Sequence, residues 1–233
     1  LESGYKVIVL DNFSNSQEAA IDGIKRICGQ RPDLIRGDTG DPKLLKSIFM
    51  DYEIDSVFHF SGLKSVEESF EEPLRYYKQN IGASLTLLEA MREAQVQNIV
   101  FSSSATVYDP SKEQPYSEES PTGPVNPYGQ TKLLIEQVLI DLAKISANLK
   151  VAILRYFNPV GAHPSGHIGE DPKQKPNNLM PLIMQTAIGK RNKLEIYGED
   201  YDTPDGSCTV SYTHLRAHET REDRGWRRVG EKK

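Results

Sequence analysis

Asn126-Pro-Tyr-Gly-Gln-Thr-Lys-Leu-Leu-Ile-Glu-Gln-Val138 lies between two short apolar runs, Asn98-Ile-Val-Phe-Ser102 and Lys150-Val-Ala-Ile-Leu-Arg155. Pro127 suits the first turn of a helix, where its missing N–H is an orphan anyway, and no further Pro follows until Pro159. A long helix over Tyr128–Lys144 is therefore predicted, with a strand on either side. Strand, helix and strand in that order make a parallel crossover unit.

The same alternation extends toward the N-terminus. Lys6-Val-Ile-Val-Leu10, Leu34-Ile-Arg-Gly-Asp38 and Ser56-Val-Phe-His-Phe60 have the length and texture of buried strands. Helices are expected over Ser16–Cys28, Lys43–Asp51, Pro73–Tyr77 and Asn80–Ala94, the last with Leu85, Leu88 and Met91 on one face. Short connections between such elements predict an α/β fold, a doubly wound parallel sheet of Rossmann-like type. Ligands of these sheets bind at the carboxyl ends of the strands. Asp11, Asp38, Phe60–Lys64, Ser102–Ser104 and Tyr156–Asn158 all fall there.

From Asn158 the texture changes, with Pro159, Gly161, Pro164, Gly166, Gly169, Pro172 and Pro176 marking an irregular segment. A helix near Asn178–Gly189 and a strand over Leu194–Tyr197 follow. Three regions are expected: 1–157 as a dinucleotide-binding domain, 158–206 as the beginning of a smaller substrate-binding domain, and 207–233 as a tail outside the fold.

Charge narrows the partners. The 233 residues carry a net −5, but seven Lys/Arg against four Asp/Glu give Val210–Lys233 a net +3, leaving −8 on the residues before. An acidic body argues against nucleic acid as its ligand. No run of 18 apolar residues suggests a membrane span, and a cytoplasmic protein is expected. Cys28 and Cys208 are too few for a disulfide framework. His163 with His167, and His214 with His218, lack a third ligand of zinc spacing, so no metal site is expected.

Tyr128 and Lys132, four apart on a helix, project from one face. An ammonium beside a phenol favours the phenolate, which takes a proton from a hydroxyl. Tyr108 and Lys112 share the spacing, but Pro110 between them opposes a continuous helix.

Several stretches together carry a resemblance. Val7-Ile-Val-Leu-Asp-Asn12, His59-Phe-Ser-Gly-Leu-Lys64, Phe101-Ser-Ser-Ser-Ala-Thr-Val-Tyr108, Asn126-Pro-Tyr-Gly-Gln-Thr-Lys132, Leu154-Arg-Tyr-Phe-Asn-Pro-Val-Gly-Ala-His-Pro-Ser-Gly166 and Pro176-Asn-Asn-Leu-Met-Pro181 are similar to the UDP-glucose 4-epimerase family of extended short-chain dehydrogenases, over about Leu1–Gly206. The resemblance implies NAD as cofactor and the interconversion of UDP-glucose and UDP-galactose by oxidation and re-reduction at C4. It implies Tyr128 as base, Lys132 as its activator and Ser104 as the hydroxyl that relays the sugar proton. Cofactor contacts are implied for Asp11, Asn12, Asp38, Phe60, Ser61, Gly62, Leu63, Lys64, Asn80 and Phe157. Substrate contacts are implied for Lys64, Ser104, Tyr128, Asn158, Asn178, Leu179, Glu195, Ile196 and Tyr197. Relatives of this fold often pair as homodimers.

Three departures accompany the likeness. The family's Gly-x-x-Gly-x-x-Gly loop, which cradles a pyrophosphate at a helix N-terminus, is absent, so weak cofactor binding and an inactive fragment are expected. Beyond Gly206 the sequence departs from the family pattern, apart from an echo at Tyr212 and His214. Asp109 stands where the family has Gly, which anticipates a left-handed backbone there. Dehydratases and decarboxylases of the same fold place acids where Ala105 and Thr106 stand, and a non-catalytic nucleotide-binding relative would tolerate loss of Ser104, Tyr128 or Lys132, all of which are present.

Overall fold

A computed structural model describes residues 1–112, 115–170, 173, 176, 178–195, 200, 206 and 212–214. In chain order its elements are β1 (Ile8–Asp11), α1 (Ala19–Cys28), β2 (Asp33–Arg36), α2 (Pro42–Asp51), β3 (Ser56–His59), α3 (Val66–Glu71), α4 (Pro73–Tyr76), a π-helical turn (Tyr77–Gly82), α5 (Ala83–Glu93), β4 (Asn98–Ser104), a 3₁₀ turn (Ala105–Val107), α6 (Pro127–Ile145), β5 (Lys150–Tyr156), β6 (Asn158–Val160), α7 (Leu179–Ala187) and β7 (Tyr212–His214). They form two compact units, residues 36–156 and residues 1–35 with the described residues from Phe157 onward. Residues 1–35 group with the later part of the chain and not with the sheet that follows them.

Within residues 36–156, β3, β4 and β5 make a three-stranded parallel sheet with β4 in the centre. The register sets Phe101 between His59 and Ile153, and Ser104 opposite Tyr156. On this central strand Ile99, Phe101, Ser103 and Ser104 are buried. Leu45 and Ile48 of α2, Leu87, Leu88 and Met91 of α5, and Ile135 and Leu139 of α6 are among the apolar residues these helices bury. Each such side chain contributes about 1.5–3 kcal/mol of burial.

The helix ends follow local chemistry. Asp41 accepts from the N–H groups of Lys43 and Leu44 ahead of Pro42. Asn126 does the same for α6, its Oδ1 accepting from Gly129 N at 2.7 Å with Pro127 in the first turn. Helix α3 was not expected from periodicity, yet Ser65-Val-Glu-Glu68 carries its signal: Ser65 Oγ accepts from Glu68 N at 3.2 Å. The predicted single helix from Asn80 begins instead inside a π turn. That wide turn carries the buried Asn80.

In the other unit β1 and β2 form a two-stranded sheet, entered where Asp33 N donates to Val7 O at 3.1 Å. Helix α1 ends at Gly29, whose φ of 72° lets its N–H cap Lys25 O. A Cβ at Gly23 would stand 2.3 Å from His167 O, and Lys173 Nζ donates to Phe13 O at 2.9 Å. These contacts explain why residues 1–35 group with the segment after Phe157. Strands β6 and β7 pair in parallel, Asn158 with Tyr212 and Val160 with His214. Residues 212–214, expected to lie outside the fold, are therefore part of it; Tyr-Thr is a pairing that favours an extended backbone. Of the strand expected over Leu194–Tyr197, Leu194 and Glu195 are not in a strand, while Ile196 and Tyr197 lie outside the described residues.

Candidate active site

The carboxyl end of β4 and the first two turns of α6 bring Ser104, Tyr128 and Lys132 together within residues 36–156, as the sequence anticipated. All three are buried. Ser104 stands close enough to the Tyr128 hydroxyl to favour its ionised form. The Ser104 oxygen also accepts from Thr106 N at 3.2 Å and from Thr106 Oγ1 at 3.0 Å. With its lone pairs so engaged, the Ser104 proton is left to donate toward the Tyr128 oxygen. Thr106 was not singled out from the sequence; the signal available was a hydroxyl residue two positions after the serine, the spacing of a local side-chain turn.

Lys132 Nζ donates to Ser102 O at 2.8 Å and lies 5.0 Å from the Phe101 ring centroid and 5.9 Å from that of Tyr128. Burial lowers its pKa to about 8. Burial also raises the Tyr128 phenol above its ordinary value, Ser104 pulling the other way. The expectation that Lys132 brings this phenol toward neutrality is thus not met here. The ammonium is directed at a backbone carbonyl, and the low dielectric that disfavours a free ammonium disfavours a phenolate as well.

The loop after β3 is held from behind by a chain of hydroxyls and one imidazole. Ser84 Oγ donates to Asn80 O at 2.6 Å, so His59 Nε2 is the donor in its 2.7 Å contact with Ser84. His59 Nδ1 is then an acceptor and takes the Ser61 hydroxyl proton at 3.2 Å, leaving Ser61 Oγ to accept from Thr39 at 3.2 Å. Burial, with the Lys132 charge second, lowers the His59 pKa to about 4, which keeps the ring neutral in this role.

Asn80 spends its amide on the protein: Oδ1 accepts from Leu63 N at 2.8 Å, and Nδ2 donates to Leu63 O at 3.0 Å and Thr131 Oγ1 at 3.1 Å. It ties the β3 loop to α6. Gly62 has φ of 143°, and a Cβ there would meet Asn80 Oδ1 at 3.2 Å, so the loop needs glycine at this point. Phe60 is exposed and stacks on Phe58 at 6.3 Å. Lys64 completes the loop. Asp38 accepts from Gly40 N at 2.7 Å and from Gln79 Nε2 at 3.0 Å, on the wall of an open cavity of about 590 Å³ that Lys78 and Thr86 also line.

Asp11, Asn12, Phe157, Asn158, Asn178, Leu179 and Glu195 belong to the other unit. The Asp11 carboxylate accepts from Ser16 Oγ at 2.9 Å and Phe13 N at 2.7 Å, and Asn12 Oδ1 from Ser14 N at 2.9 Å. Asn178 Nδ2 donates to Glu170 Oε1 at 2.9 Å at the start of α7, where Leu179 is partly exposed. Glu195 lies 3.6 Å from Lys193 Nζ.

The second Tyr-x-x-x-Lys pair is not helical: Tyr108 forms a β-bridge with Thr122 and stacks on Tyr116. Asp109 corrects another expectation. Among the described residues the non-glycine positions with positive φ are Phe13 and Gln95. Asp109 instead accepts from Ser111 N at 2.9 Å and Ser111 Oγ at 2.7 Å, a side-chain turn that removes any need for glycine. Among the described residues no helix is long and apolar enough to cross a membrane, and no three His, Cys, Asp or Glu side chains are grouped to hold a metal.

Known proteins share this framework. The chain is 51% identical over 216 residues to a UDP-glucose 4-epimerase of Yersinia enterocolitica and 49% identical over 215 residues to one of Bacillus subtilis, covering 92% of this chain in each case. It spans 64% and 63% of the length of those two relatives. The crystal structure of a UDP-glucose 4-epimerase from Bifidobacterium longum in complex with NAD+ and UDP superposes with a TM-score of 0.88 at 45% identity, over 91% of this chain and 64% of the other. Likeness thus continues past Gly206, where the resemblance in sequence fades: the profile of the NAD dependent epimerase/dehydratase family matches residues 1–217, and the chain belongs to that family.

Proposed function

We propose that this chain carries the proton-transfer centre of an NAD-dependent UDP-glucose 4-epimerase, acting on UDP-glucose and UDP-galactose. The observation that carries the reading is the burial of Ser104 and Tyr128 together, with Lys132 one helical turn along, at the carboxyl end of the central strand. The names of the relatives support the substrate, and Ala105 and Thr106 beside Ser104 supply no acid for the elimination a dehydratase performs.

The residues fit a dinucleotide. Asp38, Lys78, Gln79 and Thr86 surround an open cavity with the mixture of acceptors and donors that suits a nucleoside. Asp11 and Asn12, the Phe60–Lys64 loop and Phe157 are the other residues assigned to hold it, whereas Asn80 positions the loop through Leu63. NAD, when bound, supplies the acceptor and then the donor for the hydrogen and electron pair exchanged at C4 of the sugar.

Tyr128 Oη takes the proton of the C4 hydroxyl, directly or across Ser104, and returns it to the same oxygen after the sugar has turned over. Thr106 leaves the Ser104 proton free to go to Tyr128, and the relay requires the Thr106 Oγ1 bond to give way so that a Ser104 lone pair accepts from the sugar hydroxyl. Lys132 stabilises the phenolate as it forms; burial makes that electrostatic assistance larger than it is in water. Asn158, Asn178, Leu179, Glu195, Ile196 and Tyr197 are assigned to the UDP-sugar. Self-association through α5 and α6 and a cytoplasmic location complete the reading; Leu85 and Leu134 on those helices are 41% and 39% exposed.

The test is a coupled assay for UDP-glucose formed from UDP-galactose and NAD, on the chain completed with the segments that flank the matched region in the Yersinia enterocolitica relative. Turnover that depends on Tyr128 is expected. A completed, folded protein that binds UDP-galactose without converting it refutes the assignment.

A further inference from the structure

Helix α6 presents not two but three polar side chains at intervals of four: Tyr128, Lys132 and Glu136. Each is tied to a different one of three consecutive residues of β4. Tyr128 lies beside Ser104, which lowers its pKa, Lys132 Nζ donates to Ser102 O at 2.8 Å, and Ser103 Oγ donates to Glu136 Oε1. Glu136 is 1% exposed, and Arg155 on β5 grips its carboxylate with Nε at 3.0 and 3.2 Å and Nη2 at 2.6 Å. The guanidinium is held in turn: its carbon lies 4.8 Å from the Tyr108 ring centroid, and Nη1 donates to Glu118 O at 3.3 Å. Burial alone would lower the Arg155 pKa, but Glu136 and Tyr108 hold it above its usual range, so the guanidinium keeps its charge.

An ion pair this deep is a poor way to add stability, because the desolvation of two charges offsets most of their attraction and apolar replacements of similar volume are often neutral. What a forked, bidentate pair does supply is direction. It fixes the third turn of α6 against two adjacent strands. The axial position of that turn determines where Tyr128 and Lys132 meet Ser104 and Ser102, one and two turns away.

We propose that Glu136, clamped by Arg155, is a positioning residue of the catalytic helix: it sets the register of α6 on β4 that brings the Tyr128 oxygen to Ser104. The proposal rests on Tyr128 being the proton acceptor argued above, but its test does not require turnover. The experiment is a pH titration of the Tyr128 phenol in this chain, by NMR of ¹³Cζ-labelled tyrosine with the Tyr128 signal assigned through Tyr128→Phe. Two variants are compared with the parent. The double change Glu136→Leu with Arg155→Met removes both charges at once, so it leaves the net charge unaltered. Arg155→Lys keeps the charge and loses the fork.

Both variants are expected to keep the cooperative melting of the parent while the Tyr128 titration moves measurably upward, as Ser104, which lowers it, is drawn away from the phenol. In the completed enzyme the same variants should lose 10-fold or more in kcat with KM nearly unchanged. A Tyr128 titration identical to the parent's in either folded variant overturns the proposal, as does loss of folding in both, which would make the pair structural only. A normal shift in the titration with no epimerase activity in the completed parent would leave the positioning role standing and refute the proposed function instead.

Discussion

Thr106 reaches Ser104 twice, through its backbone N at 3.2 Å and its Oγ1 at 3.0 Å. A hydroxyl rotor with both acceptor directions filled has only its proton left to offer, and the nearby Tyr128 hydroxyl is the group whose ionised form it favours. Removing the second bond should release the rotor. Thr106→Val in the completed enzyme is expected to lower kcat about 10-fold while leaving KM within a factor of two, and Thr106→Ser should restore most of the loss. Equal kcat in all three would show that the orientation of Ser104 does not depend on Thr106.

The start of α6 leaves no room behind Tyr128. A Cβ at Gly129 would fall 2.6 Å from Thr106 O and 3.0 Å from Pro124 Cβ. Gly129→Ala therefore has to displace either the helix or the turn that carries Thr106. A loss of about 1–3 kcal/mol in urea unfolding is expected, together with a loss of activity. Gly4→Ala, at a glycine whose Cβ meets nothing within 4 Å but whose φ is 83°, serves as a comparison that reports backbone strain without crowding.

His59 links stability to acid. It is enclosed by Ser84, Ser61 and Phe101, and burial, then the Lys132 charge, lowers its pKa from 6.5 to about 4. The folded state therefore binds fewer protons than the unfolded state between those values. Its contribution is complete above pH 6.5 and is lost as pH falls through 4, by about 3 kcal/mol in all. Urea titrations of the parent and of His59→Gln at pH 7 and pH 4.5 should converge at the lower pH; a parallel fall in both would assign the acid sensitivity to other groups.

Lys132 gives the opposite end of the pH range. Burial lowers its pKa from 10.5 to about 8, so the charged form is the costly one in the fold. Relative to Lys132→Met, the parent should become more stable as pH rises from 8 to 10.5, by about 3 kcal/mol at most. At pH 7 the variant is expected to be at least as stable as the parent, while its epimerase activity is lost. A less stable Lys132→Met at pH 7 would mean that the Ser102 carbonyl and the Phe101 ring compensate the burial of the ammonium.

The grouping of Ser104, Tyr128 and Lys132 was legible because it rests on local spacing and on strand ends. Pro127 and the four-residue interval fixed the helix and its face, and the apolar run Asn98–Ser102 placed the serines at a strand terminus. The proton directions were not legible, since they depend on partners far apart in sequence: His59 with Ser84, Asn80 with Leu63 and Thr131, and Glu136 with Arg155. Nor was the Tyr128 pKa, because spacing reveals a neighbouring charge but not the burial that outweighs it. Strand β7 was missed for a related reason. Residues 212–214 read as a tail because the family pattern fades after Gly206, and only pairing with β6 makes them a strand.

The central claim is that Tyr128 exchanges a proton with the sugar. Its most direct test is the rate of UDP-galactose conversion by the completed chain carrying Tyr128→Phe, which keeps the ring and its packing and removes only the hydroxyl. A fall in kcat of about 10²–10⁴-fold is expected, with UDP-galactose binding unchanged within a few-fold. Conversion at the parent rate would contradict the account.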